Sequence, residues 1–118
     1  RALTDRLERL EARIAELETL VLARPSLARV LDEVAAEFAT PVSEIRAPWR
    51  HARLMPARQA AATLARRHTG LPLQVIARAM ARDHTTVLHN LAEAERRQIE
   101  DPQFAARIRA VSERLRGA

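Results

Sequence analysis

The chain has 118 residues, only two glycines and 3% aromatic residues, a composition that favours one compact all-helical domain with an extension. It contains no cysteine, which excludes disulfides and thiolate chemistry, and it has neither a membrane-spanning apolar run nor a secretory signal. We therefore expect a cytoplasmic protein. Because the chain begins with Arg rather than Met, we also expect a processed or trimmed fragment.

Residues 1–24 carry a heptad pattern that predicts an amphipathic helix. Its apolar positions alternate in steps of four and three residues, and they are Leu3, Leu7, Leu10, Ile14, Leu17 and Val21. Leucine at the d positions with β-branched residues at two of the three a positions favours a parallel dimer. Opposite charges would face each other across that dimer, with Arg6 and Arg13 at position g and Glu11 and Glu18 at position e. The alternative is a helix folded back onto its own domain, because three heptads are marginal for an isolated coil.

Residues 25–118 are predicted to form a separate helical domain. Pro25 and Ser26 end the first helix and cap the next one. A stretch bracketed by prolines, residues 47–56, reads as a basic loop. In such a loop Trp49 is more often a core plug than a stacking platform, and a minor-groove role is the alternative. Gly70 and Asp83 mark a helix end and a helix start, and Asp101 with Pro102 opens the last helix. The predicted helices cover residues 27–39, 56–68, 71–80, 83–100 and 102–115, with at most a turn of helix in 40–46.

Between Ile45 and Arg82 the chain has a block of eight arginines and no acidic residue. The arginines are Arg46, Arg50, Arg53, Arg58, Arg66, Arg67, Arg78 and Arg82. Such a block would repel itself unless an anion neutralised it. The block therefore predicts a polyanion as partner, with Arg58 and Arg78 among the candidate phosphate neighbours.

The stretch RDHTTVLHN, residues 82–90, is unusual for a helix because Thr and His are mediocre helix formers. Two helices and a short turn are predicted before it, which is the arrangement of a helix-turn-helix unit whose second helix enters the DNA major groove. An ideal helical wheel places His84 on the apolar side with Leu88 and Leu91, so the wheel alone predicts a packed histidine. The other side carries side chains that suit base edges, namely Arg82, Thr85, Thr86 and His89.

The string TGLPLQVIARAMARDHTTVLHN, residues 69–90, resembles the signature of the C-terminal DNA-binding domain of the bacterial chromosomal replication initiator DnaA. The likeness extends from Leu27 to Leu115 and includes ARQAAATLAR and DPQFAARIRAVSERL. The resemblance implies an all-α, helix-turn-helix bundle that binds specific sites on duplex DNA, related to the DnaA box. One departure is Met80-Ala81, which stands where the family has one or two glycines before the Arg. Because the chain is one residue shorter at this point, we expect a tighter turn.

The resemblance also implies roles for individual residues. It places Arg50 in the minor groove next to the recognition helix and gives Arg66 a phosphate contact. It places six residues of the unusual stretch against bases or backbone in the major groove: Arg82, Asp83, His84, Thr85, Thr86 and His89. Asp83 is also predicted, from its position alone, to cap the recognition helix.

Together these features predict a nucleoid-associated protein that binds double-stranded DNA sequence-specifically. No G-x-x-x-x-G-K-[ST] phosphate loop and no catalytic constellation occurs, so we expect no enzyme activity, no cofactor and no metal. Without a motor domain, we predict a transcriptional regulator from a phage or mobile element. The alternatives are a replication-initiation regulator or a DnaA C-terminal fragment. Besides DNA, the transcription or replication machinery is a candidate partner of the protein. An alternative of another class is a protein-interaction module whose arginine face binds an acidic protein surface.

Overall fold

The computed structural model describes residues 1–117, apart from the side chains of Val21 and Leu22. The seam position predicted at Val21 and the terminal Ala118 of the predicted domain lie outside what is described. Residues 1–117 contain helices and no strand, which confirms the all-α fold. The helices are α1 Ala2–Leu22, α2 Leu27–Glu37, α3 Val42–Arg46, a 3-10 turn Ala52–Leu54, α4 Met55–Thr69, α5 Leu73–Ala79, α6 His84–Glu100 and α7 Pro102–Gly117.

Four helix ends lie where capping residues predicted them. Ser26 and Asp83 each accept a hydrogen bond from a backbone N–H in the first turn of the following helix, at 3.1 and 2.8 Å. The Asp101 carboxylate does the same for α7, at 3.0 and 3.3 Å. Gly70 ends α4 in the left-handed conformation, with φ of 66°. These contacts satisfy donors that a helix end leaves without partners, so they fix where each helix begins or ends.

Helix α4 is the centre of the domain and packs against α2, α6 and α7. Its segment from Ala57 to Ala65 is buried along its whole length. Because alanine side chains are small, the neighbouring helices approach this segment closely from several sides. The larger apolar side chains that fill the remaining space come from every other helix of the domain, and include Val34, Ile45, Ile76, Val87 and Ile108.

The basic loop is more ordered than predicted. It contains the 3-10 turn, and α4 begins at Met55 rather than Pro56. The prediction that Trp49 plugs the core is wrong, because this side chain is 50% exposed and lies against His51, with ring centroids 6.2 Å apart. Leu54 takes the buried position instead and is fully enclosed.

Helix α1 does not fold back onto the domain. The apolar side chains of its seam from Leu3 to Leu17 are 46–74% exposed, and so is Leu20, at 60%. The molecule is correspondingly elongated, with extents of 64 × 27 × 24 Å. At the junction, the Arg24 guanidinium donates a hydrogen bond of 3.3 Å to the carbonyl of Thr69 at the end of α4. None of the helices in residues 1–117 has the length and apolar character needed to cross a membrane.

Candidate nucleic-acid interface

Helices α5 and α6 and the turn between them form the predicted helix-turn-helix unit. The turn is tight because Ala81 takes a left-handed backbone with φ of 54°. The N–H groups of Ala81 and Arg82 then bond back to the carbonyls of Arg78 and Ala77, at 3.1 and 2.9 Å. This pattern closes a helix end most readily with glycine, so Ala81 takes here a backbone conformation that glycine adopts at lower steric cost.

The first turn of α6 presents polar side chains to solvent. His84, Thr85 and His89 are exposed, and Thr86 is half-buried. Asp83 caps the helix by accepting the Thr86 N–H, and this hydrogen bond holds the pKa of the Asp83 carboxyl below its usual value. The carboxylate therefore stays ionised at neutral pH and keeps the start of α6 fixed.

The prediction from the wheel that His84 is packed is wrong. His84 is exposed, and Leu88, on the same side of the helix, is 45% exposed. His84 is the first residue of α6, and a wheel gives only the angle around an axis, not how far along that axis neighbouring helices extend. The buried contacts of this helix come instead from Val87, Asn90 and Ala94.

A groove runs between the basic loop and the exposed start of α6. One wall is formed by Pro48, Trp49 and Arg50, and the other by residues of the turn and of α6. Most of the predicted DNA-binding residues line this groove, and they are Arg50, Arg58, Arg82, Asp83, Thr85, Thr86 and His89. Arg66 lies apart from the groove, where its neighbours include Leu91, Ala92 and Glu95 of α6. His84 is exposed and lies between the groove residues Asp83 and Thr85 in the sequence, but it does not line the groove itself.

Arg58 forms the floor of the groove, and its position corrects the predicted phosphate contact. The residue is 2% exposed. Its guanidinium donates hydrogen bonds to the carbonyls of Glu44, Ile45 and Ala47, at 2.9, 3.1 and 2.7 Å, and also to that of Trp49. Each of its three guanidinium nitrogens thus donates to a backbone carbonyl, so we assign Arg58 a structural role in fixing residues 44–49 in place of a DNA contact.

Arg82 shares this structural role and is half-buried. Its guanidinium donates to the carbonyls of Ile45, at 3.4 Å, and Arg46, at 3.2 Å, and also to that of Ala47. Burial lowers the pKa of both guanidinium groups, and the Arg82 charge adds to the effect on Arg58. Neither forms an ion pair within residues 1–117, so an anion entering the groove would meet their two positive charges together with the negative charge of Asp83.

The arginine block divides into two groups. Arg58 and Arg82 bond internally, and Arg53 forms an ion pair of 2.9 Å with Glu44. The others are exposed and form no ion pair within the described residues: Arg46, Arg50, Arg66, Arg67 and Arg78. The surface charge available to a polyanion is therefore smaller than the sequence count suggests, but it is not neutralised by the protein itself.

Sequence reasoning missed the internal function of Arg58. The signal for it was the helical spacing, since Arg58 lies three, four and seven residues before Ala61, Ala62 and Ala65. A charged residue on an apolar helical stripe needs buried hydrogen-bond partners. Sequence reasoning also placed Trp49 in the core, whereas it is exposed on the groove wall. A tryptophan in a loop occurs in either position, and the sequence around Trp49 gave no signal to choose between them.

The sequence matches the family model described as "Bacterial dnaA protein helix-turn-helix" over residues 27–93. That range includes α2 to α5 and the first half of α6. The chain is also 32% identical over 95 residues to the chromosomal replication initiator protein DnaA of Deinococcus radiodurans, a match that covers 80% of this chain and 20% of the relative. It is 37% identical over 87 residues to the protein of the same name from Thermomicrobium roseum, a match that covers 73% of this chain and 19% of the relative.

The match to the family model contains the helix-turn-helix unit and the basic loop that together form the groove. The chain spans about a fifth of the length of the curated relatives it matches. The family is one of DNA-binding domains, and the structure of residues 27–93 has its all-helical character. The chain belongs to the helix-turn-helix family of the bacterial DnaA protein.

Proposed function

We propose that the chain recognises specific sequences in double-stranded DNA, with α6 in the major groove and Arg50 in the adjacent minor groove. The observation that carries this proposal is the groove between the basic loop and the exposed start of α6. Thr85 and His89 offer hydroxyl, methyl and imidazole groups to base edges, and their exposure leaves them free to make such contacts.

The shape and charge of the groove support this placement. A DNA strand separates each major groove from the neighbouring minor groove, so a protein that enters both must leave room for that strand. The groove between Arg50 and α6 offers the room, with the positive charges of Arg58 and Arg82 beneath it. The start of α6 adds a favourable field for phosphate, since backbone N–H groups point outward at a helix N-terminus.

The contact made by Arg66 is a second part of the proposal. Arg66 is exposed beside α6 but outside the groove, where it would bind phosphate of the DNA flank rather than a base. Arg78 at the end of α5 is a further exposed candidate for such a contact. Phosphate contacts of this kind position the protein on DNA without reading its sequence.

The biological role follows from which sites are bound. Both relatives are named chromosomal replication initiators, which favours a nucleoid-associated protein that acts at initiator-type sites and regulates replication. The transcriptional regulator predicted from the sequence remains the second candidate, since it needs only the same DNA binding. The third, a module that binds acidic protein surfaces, rests on the exposed arginines alone.

Selection of bound sites from random duplex DNA tests the proposal. We expect a defined sequence to be enriched, and we expect its affinity to fall linearly with salt concentration on a log–log plot. Arg109→Ala serves as the control, because this exposed arginine lies on α7, which contributes no residue to the groove. Enrichment of no sequence, together with binding that hardly changes with salt, would overturn the proposal and favour the protein-interaction module.

A further inference from the structure

Helix α1 lies outside the residues that match the family model, and one of its faces has no partner in the described chain. The exposed apolar seam runs from Leu3 to Leu17 and continues in sequence to Val21, with three residues at d and three at a. Monomeric proteins rarely expose a contiguous apolar stripe of this length. The stripe follows a strict seven-residue repeat, which is the repeat of a coiled coil rather than that of a helix on a globular core.

The charges beside the seam indicate what covers it. Arg6 and Arg13 occupy position g, and Glu11 and Glu18 occupy position e. In a parallel, in-register pair, each g residue faces the e residue five positions later in the partner, which places every Arg opposite a Glu. In an antiparallel pair, g faces g and e faces e, which places Arg against Arg and Glu against Glu.

The ion pair that α1 forms within one chain is too weak to prevent pairing of Arg with Glu between two chains. Arg13 forms an ion pair of 3.0 Å with Glu16 of the same helix, and both side chains are 66% exposed. Exposed pairs of this kind contribute little to stability, so Arg13 is free to exchange Glu16 for a partner's carboxylate. The outer face of α1 consists of short or polar residues, including Asp5, Ala12 and Thr19.

We propose that a second copy of the chain covers this seam, in a parallel coiled coil formed by residues 3–21. The coil joins two DNA-binding domains of residues 25–118 at its C-terminal end. A dimer of this kind has a twofold axis along the coil, so the two recognition helices are related by that axis. Two half-sites read in this way form an inverted repeat. This last step rests on the proposed DNA binding, whereas the dimer itself does not.

Sedimentation of the full chain without DNA tests the dimer. We expect a dimer that dissociates on dilution through the micromolar range, and we expect Leu10→Asp combined with Leu17→Asp to give a monomer with intact domain helicity. The matched control is Ala12→Asp combined with Thr19→Asp, which adds the same charge at the same spacing on the outer face. A monomer at every concentration, or an unchanged dimer in the seam variant, would overturn the proposal.

The absence of cysteine from the chain allows a direct test of orientation. Leu3→Cys places a thiol at one end of the seam, next to its own counterpart only in a parallel pair. We expect this variant to form an intermolecular disulfide on mild oxidation, much faster than Asp5→Cys, which faces outward. Equal and slow cross-linking of the two variants in a chain that sediments as a dimer would refute the parallel arrangement.

Binding to paired half-sites links the dimer to DNA recognition. We expect the native chain to bind an inverted pair about 10²–10⁴-fold more tightly than one half-site, the range that linking two binding modules gives. The Leu10→Asp, Leu17→Asp variant should lose this gain but keep its affinity for the single half-site. Absence of binding by the native chain to both kinds of site would instead contradict the proposed function. Equal binding of single and inverted half-sites by a proven dimer would refute the inverted-repeat step.

Discussion

The guanidinium groups of Arg58 and Arg82 converge on the same two backbone carbonyls, those of Ile45 and Ala47. The bonds to Ile45 are 3.1 Å from Arg58 and 3.4 Å from Arg82, and the bond from Arg58 to Ala47 is 2.7 Å. Arg58 belongs to the central helix α4, and Arg82 lies in the turn before α6, next to its N-cap Asp83. Two side chains of the arginine block therefore hold the loop that carries Arg50 against both the central helix α4 and the turn before α6.

The first prediction separates arginines that organise the loop from arginines that touch DNA. Arg58→Ala removes the arginine donor from the carbonyls of Glu44 and Trp49 and one of two donors from those of Ile45 and Ala47, so it should lower the free energy of unfolding by about 1–3 kcal/mol. It should also weaken specific binding but reduce the salt slope less than the loss of a phosphate contact does, because the Arg58 charge lies beneath the groove while its donors bond to the protein. Arg66→Ala should leave stability unchanged and reduce the slope by about one. Chemical denaturation and salt titrations check both, and a slope that falls as far for Arg58→Ala as for Arg66→Ala would restore Arg58 as a phosphate contact.

The second prediction concerns the exposed side chains of α6. Thr85→Ala and His89→Ala should each lose about 1–3 kcal/mol of discrimination at one or two base pairs, with stability and non-specific binding kept. His84→Ala should behave in the same way, because the side chain is exposed. Ile76→Ala is the contrasting control, since it empties a fully buried site and should lower stability by about 2–5 kcal/mol. Competition binding and thermal melts on the same samples check this, and unchanged sequence preference in all three α6 variants would refute the recognition-helix assignment.

The third prediction follows from the left-handed backbone of two alanines. Ala81, with φ of 54°, closes the helix-turn-helix turn, and Ala39, with φ of 49°, follows α2. Glycine adopts this backbone without the steric cost of a Cβ, so Ala81→Gly and Ala39→Gly should each raise stability by roughly 0.5–1 kcal/mol. Ala106→Gly, at an exposed position inside α7, should lower it by a similar amount. Denaturation of the three variants checks this, and a loss of stability in Ala81→Gly would contradict the strain at this turn.

The fourth prediction is a pH dependence that arises at His68. Its Nε2 lies 2.7 Å from the Ser112 hydroxyl, and burial, followed by the charges of Arg116 and Arg67, lowers the pKa of this histidine below its usual value. The folded state therefore disfavours the proton. Stability should be complete above the unfolded pKa of about 6.5 and should decline as the pH falls from there through the folded pKa.

Thermal melts across this range check the effect of His68. His68→Gln, which lacks the titrating ring, should flatten the decline, while the exposed His51→Gln serves as the control. The same loss of stability on acidification in the His68→Gln variant would assign the pH dependence to other groups.

The fifth prediction tests the placement of Arg50. The minor groove distinguishes A·T from G·C pairs and little else. Arg50→Ala should therefore weaken sites with A·T pairs at the contacted position more than sites with G·C pairs there. Arg46→Ala is the control, because Arg46 is also exposed but, unlike Arg50, does not line the groove. Equal weakening of both kinds of site would indicate a phosphate contact for Arg50 instead.

Helix ends could be predicted from the sequence because capping is a local event. Ser26, Asp83 and Asp101 each bond to backbone groups within the next three residues, so their neighbours in the chain decide the outcome. The family resemblance placed the helix-turn-helix unit in the same way, through a contiguous run of residues. Short-range patterns of this kind were enough to predict the architecture and most of the residues that line the groove.

The destinations of individual side chains could not be predicted in this way. Arg58 bonds to carbonyls 9 to 14 residues earlier in the chain, and only the folded loop brings them into reach. The exposure of His84 depends on where the neighbouring helices stop. The hydrophobic periodicity of a sequence describes one helix at a time. It therefore gives no information on the hydrogen-bond partners of Arg58 or on the exposure of His84.

The fastened loop also has a consequence for the rate of DNA binding. Residues 44–49 are held by Arg58 and Arg82 before any DNA arrives, so no segment of the groove has to fold on the duplex. Encounter then needs only correct orientation, and the exposed arginines accelerate it by attraction to the phosphates. We expect association in a single kinetic phase whose rate falls steeply with salt, and we expect sequence to act mainly on how long the complex lasts.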